Sequence, residues 1–172
     1  MATRTWVGGT SNVWTNTANW LETTVPVSTD DVYIVSGSSN ITGLDQSSIT
    51  LNSLTVGTQY SGTIGSSGTK LQINATNFVF SGTGATNYIE GQFTTVTVQN
   101  TSTNTAALNL SGSSDTITTL RILGGRGGVN IASSCNLVTT IEQIGAEGVT
   151  TTIADGTTIG ASCQLRIDSG RM

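Results

Sequence analysis

The sequence predicts an all-β protein: a short, three-faced parallel β-helix (β-solenoid) of about five coils, closed at one end by a tryptophan-rich N-terminal cap. Three observations predict it. Apolar residues return in two interleaved series with a mean step near 22 residues. Roughly three residues in ten are Thr or Ser, and Gly contributes 21 of 172, a composition of short strands and tight turns. All three tryptophans and the only proline lie in residues 1–31, ahead of the repeats.

The chain divides at that point. Residues 1–31 form the cap or docking segment, and residues 32–172 form the solenoid, with its coils over 32–168. A β-helix has open ends, and an open end is an unpaired sheet edge that must be covered. The segment holding Trp6, Trp14 and Trp20 is placed to cover the first coil.

From Asp31 onward the strands follow one another. The first series runs through Ser53-Leu54-Thr55-Val56, Asn77-Phe78-Val79-Phe80, Thr95-Val96-Thr97-Val98, Thr119-Leu120-Arg121-Ile122 and Thr140-Ile141-Glu142-Gln143-Ile144. Its first apolar residues fall at 54, 78, 96, 120 and 141. Between them sits a second series: Ile64, Ile89, Leu110, Ile131 and Ile153. Alternation within each piece is that of a strand with one buried face. A coil of this length holds three short strands and three turns. Gly57, Gly65, Gly82, Gly91, Gly112, Gly124 and Gly145 stand near the corners, where positive φ values are expected. No stretch carries a helical apolar stripe, and the frame of a leucine-rich repeat is absent. The competing architecture is a β-sandwich with a strand every 8–12 residues.

Composition narrows the function classes. The net charge is −4, and the six basic residues are scattered, so no stripe is available to neutralise phosphates and no nucleic-acid partner is expected. No apolar run is long enough to span a bilayer, so no membrane partner is expected either. The start Met1-Ala2-Thr3-Arg4-Thr5-Trp6 shows no apolar signal region, which predicts synthesis in the cytoplasm without a signal peptide. Cys135 and Cys163 are 28 residues apart, near one coil; they read as two reduced, packed thiols or as a disulfide between coils.

The catalytic inventory is short. There is no His, which removes the usual general base and the common triads. The acidic residues do not recur in register along the repeats, so paired-carboxylate chemistry is not expected and the chain reads as non-enzymatic, without cofactor. Asp45, Asp115 and Asp155 stand in Gly- and Ser-containing turns, where solvated turn aspartates outweigh a calcium site. Gly124-Gly125-Arg126-Gly127-Gly128 lacks the following helix and the lysine of a phosphate loop and reads as a turn presenting Arg126 to a partner. Trp6, Trp14 and Trp20 carry three readings: packing over the first coil, docking to another protein, or a sugar-stacking platform. The expected partner-binding set is Trp6, Trp14, Trp20 and Arg126.

The stretch Trp6-Val7-Gly8-Gly9…Trp14…Asn19-Trp20…Val25-Pro26…Asp30-Asp31-Val32-Tyr33-Ile34 resembles the opening of β-helical, passenger-like proteins. Such openings occur in autotransporter-type surface proteins and in virion structural proteins of tailed phages. The motif spans about 30 residues, and the rest of the chain agrees as a pattern. With no export signal visible, the resemblance points to the virion group. It implies a bacteriophage capsid decoration (cement) protein on the capsid exterior, binding the major capsid protein and copies of itself as a homotrimer. The alternative is a carbohydrate-binding or adhesive β-helical module, using the tryptophans or one solenoid face.

Overall fold

The structure is a computed structural model that describes residues 1–9, 11–42, 45–82, 86–100, 108–111, 116–125, 128–133, 135–144 and 150–168. Its strands are β1 (Thr3–Thr5), β2 (Asp31–Gly37), β3 (Asp45–Tyr60), β4 (Leu71–Phe80), β5 (Asn87–Glu90), β6 (Phe93–Asn100), β7 (Leu108–Leu110), β8 (Thr116–Gly125), β9 (Val129–Ile131), β10 (Asn136–Ile144), β11 (Thr151–Ile153), β12 (Thr158–Ile159) and β13 (Gln164–Asp168). The ladders between them are parallel. That excludes the sandwich, whose hairpins pair antiparallel. The chain is a β-solenoid of about five turns.

Each predicted repeat step is a direct register pair. Leu54 lies opposite Phe78, Phe78 opposite Val96, Val96 opposite Leu120 and Leu120 opposite Ile141. The column begins one rung earlier at Val32 and continues to Leu165. These strands form the long face. On the second face Ile89, Leu110, Ile131 and Ile153 stack in the same way. Ile64 joins them through the Tyr88 N–H, which donates to its carbonyl at 2.8 Å.

A third inward column, Leu51–Ala75–Phe93–Ile117–Leu137–Ile159, closes the triangle. It escapes the repeat pattern because one of its members is only an alanine. The Phe93 ring reaches across to Phe78, with centroids 5.3 Å apart. The core is continuous from Trp6 to Ile141. The columns run on into Ile159, Leu165 and Ile167, whose side chains are exposed. Gln143 occupies an inward position between Ile122 and Ile167, and the Thr151 hydroxyl donates to its Oε1 at 3.2 Å.

Outward positions of the long face are mostly polar. One column reads Asp31–Ser53–Asn77–Thr95–Thr119–Thr140–Gln164. Beside it Arg121, Glu142 and Arg166 stack with alternating sign, at 2.9 and 3.2 Å. Exposed pairs of this kind add little stability.

The corners partly depart from expectation. Gly65 and Gly124 do adopt positive φ, but Gly57, Gly82 and Gly91 do not; Gly112 and Gly145 lie outside the described residues. Gly91 is needed for closeness instead, since a Cβ there would run into the Ile73 carbonyl. Thr29 is the costlier corner, a β-branched residue at φ 71°. Thr29→Gly removes a left-handed penalty of about 1–2 kcal/mol and adds a smaller backbone-entropy term. A net gain of up to about 1 kcal/mol in urea-melt stability is expected; a loss would show that the turn is unstrained.

Cys135 and Cys163 are not joined in a disulfide. Cys135 is buried, with its Sγ 3.4 Å from the Leu110 carbonyl, and Cys163 is partly exposed against the core.

Candidate functional site

The cap is built on a tryptophan cluster. Trp20 sits edge-on to Trp6 and to Trp14, with centroids 5.2 and 4.8 Å apart. Its Nε1–H donates to the Trp14 carbonyl at 2.7 Å. Exposures are 2% for Trp6, 0% for Trp14 and 1% for Trp20. The Trp14 Nε1 is buried without a hydrogen-bond partner.

Asn19 and Gly8 of the opening motif each have a task here. Asn19 is buried and binds the loop before it: its Nδ2 donates to Ser11 Oγ and the Val13 carbonyl, and its Oδ1 accepts from the Ser11 N–H. Gly8 holds φ 59°, and a Cβ there would press on Ser39 and the Trp6 ring. β1 pairs with β2 and so adds a rung to the long face.

On that added rung Arg4 falls in the inward column above Val32. It closes the column with a partly buried ion pair, Nε to the buried Asp30 Oδ2 at 2.9 Å. Asp30 also accepts from the N–H groups of Ala2 and Val27. Burial pushes the Asp30 carboxyl up, but the hydrogen bonds from Arg4, Val27 and Ala2 outweigh it and hold the group below its ordinary value. Asp31 is lowered by bonds from Ser53 and Asn52. For Glu22 burial again opposes, and the Thr5 N–H prevails.

The partner-binding expectation therefore needs correction at the tryptophans. A docking or sugar-stacking ring needs an open face, and none of the three rings has one. Arg126 lies outside the described residues. Besides the terminal Met1, the cap's exposed large apolar side chains are others: Val7, Val13, Leu21 and Val27, with Leu21 at 65%. Sequence reasoning missed them because Leu21 adjoins Trp20 and nothing periodic says which of the two faces inward.

A second candidate lies on the flank of the solenoid. Tyr88, Asn109, Asn130 and Thr152 are the outward residues on successive rungs of the second face. They floor a groove of about 350 Å³, walled by Ser67 and Lys70. Asn130 Nδ2 donates to Asn109 Oδ1 at 3.0 Å, and Asn109 Nδ2 donates to the Asn87 carbonyl at 3.3 Å. Ser111, at the groove's edge, has a buried hydroxyl with no partner.

Ser67 and Lys70 also wall an adjoining depression of about 230 Å³ that contains Asp45, Gln72 and Glu90. These last three share one outward column. Two acids thus stand in register, separated by one rung, contrary to the sequence reading. Unequal loops hid the match, for Asp45 and Gln72 are 27 residues apart and Gln72 and Glu90 only 18. Glu90 is engaged by Lys70 at 3.5 Å and by Gln72 Nε2 at 3.4 Å. The Asp45 carboxyl is lowered by its bonds from Ser47.

Among the described residues no three His, Cys, Asp or Glu side chains converge as a metal site, and no helix is long and apolar enough to cross a membrane. No protein-family model, curated protein or solved structure matches the chain.

Proposed function

We propose that this chain is a non-enzymatic structural protein of a virion, of the capsid decoration type, which docks on the major capsid protein through its N-terminal cap. The observation that carries the docking reading is the apolar side chains the cap leaves outside a fully packed tryptophan cluster. Val7, Val13, Leu21 and Val27 keep between 38% and 65% of their surface in water, apolar area that a partner could cover. The virion assignment rests on the resemblance of the opening motif, whose Asn19, Gly8 and tryptophans all serve one cap architecture. The solenoid behind it supplies stiffness: parallel ladders and an unbroken core make a plate that transmits load without rearranging.

In this reading the chain tightens the head by bridging neighbouring capsid subunits, and copies of it meet as a homotrimer. The experiment is decoration of heads assembled from the major capsid protein encoded in the same genome, scored by cosedimentation. Leu21→Asp should abolish binding while leaving the melting temperature within about 2 °C, since an exposed substitution costs within about 0.5 kcal/mol. Undiminished binding by that variant together with Val27→Asp would remove the cap from the interface. The absence of a capsid gene from the genome would end the virion assignment.

A further inference from the structure

We propose that the groove over the second face is a binding site for a neutral oligosaccharide. The site is independent of the cap and of the docking it supports. Its two depressions adjoin at Ser67 and Lys70, which line both; the trough they outline measures about 350 Å³ at the neutral end and about 230 Å³ at the charged end.

The side chains select the ligand class. Tyr88 is a half-buried aromatic at one rung, able to stack on the apolar face of a sugar ring. Asn130 presents a planar amide, a group that pairs with vicinal hydroxyls as donor and acceptor together, and Asn109 holds it in place. Asn109 is committed at both ends of its amide, whereas Asn130 uses only its Nδ2 in that run. The Ser111 hydroxyl is buried and unsatisfied, a state that costs free energy until a polar group reaches it. At the other end Asp45 and Glu90 offer carboxylate oxygens to sugar hydroxyls.

Other ligand classes fit less well. An anion meets two carboxylates, and Lys70, the one cation lining the site among the described residues, already faces Glu90. A purely apolar ligand would strip water from amides and hydroxyls and return nothing. A polymer suits the trough because its groups recur at the strand spacing of about 4.7–4.9 Å, close to the length of one pyranose unit. A ligand with repeating hydroxyls then meets a wall with repeating partners.

The test is calorimetric titration of the full chain with maltose, cellobiose and N,N′-diacetylchitobiose and the longer oligomers of each, with oligogalacturonate as the acidic control. At least one neutral series should saturate, and more tightly as it lengthens. Tyr88→Ala should weaken binding about tenfold, the value of one aromatic stacking contact. Thr152→Trp, at an exposed position, should block the trough and abolish binding with the circular dichroism spectrum unchanged. Leu21→Asp should leave glycan binding intact, which separates this site from the cap. Failure of every neutral series to saturate would overturn the proposal. So would binding indifferent to both groove variants, or tighter binding of oligogalacturonate.

Discussion

Trp20→Ala is expected to destabilise the protein by about 3–5 kcal/mol, the range for deleting a large buried aromatic. Trp20 is the hinge of the cluster. It touches both other indoles, is 1% exposed, and donates from Nε1 to the Trp14 carbonyl. Removing it empties the space beneath the cap and frees the Trp14 carbonyl. The first coil then exposes Val32 and Ile34, which the cap shields. Urea melts of the variant should shift accordingly, and protease should cut near residues 20–30 at lower concentrations. Trp20→Phe should recover part of the loss, because it restores ring volume without the N–H. A change under about 1 kcal/mol for the alanine variant would mean that the cap contributes little burial.

Asp30 gives the second large effect. Asp30→Ala leaves the Arg4 guanidinium and the Ala2 and Val27 N–H groups without their acceptor. Breaking a buried pair from one side costs about 3–5 kcal/mol, and Arg4 keeps some solvent contact, so about 3 kcal/mol is expected. The pH dependence follows from the sign of the shift. The folded-state carboxyl lies below its ordinary value of 3.8, so the folded state prefers the ionised form. Its stabilisation is complete above that value and is lost as the pH falls toward the lower, folded value. Asp31 and Glu22 shift in the same direction and add to the loss. The wild-type urea midpoint should therefore drop between about pH 5 and pH 2. Asp30→Asn should start lower and show a shallower drop. An identical slope in the variant would deny Asp30 its part in acid sensitivity.

Much of the solenoid is legible in the chain because every coil faces the same problem. A residue at Leu54, Phe78, Val96, Leu120 or Ile141 must point inward, since its neighbours above and below do. Repetition turns that constraint into a visible period. The third column was not legible, because Ala75 contributes little apolar signal among larger residues. The pairing of Asp45 with Glu90 was not legible either, since sequence distance does not measure height along the axis when loops differ in length.

The cap has no period at all. Trp6, Trp14 and Trp20 are three aromatic residues in a Thr- and Asn-rich segment, and composition alone allows each to stack on a partner or on the core. Packing decides it: the rings fill the space over the first coil, and Leu21 and Val27 are left outside. The groove likewise exists only in three dimensions, for Tyr88, Asn109, Asn130 and Thr152 meet through rung-to-rung register. The sequence by itself determined the coil and the alternation of inward and outward residues, because strand periodicity and stacking act at every step. Only the tertiary structure decided which side chains face solvent in the non-repeating cap and which polar groups converge on the flank, because those depend on packing and loop length and leave no local pattern.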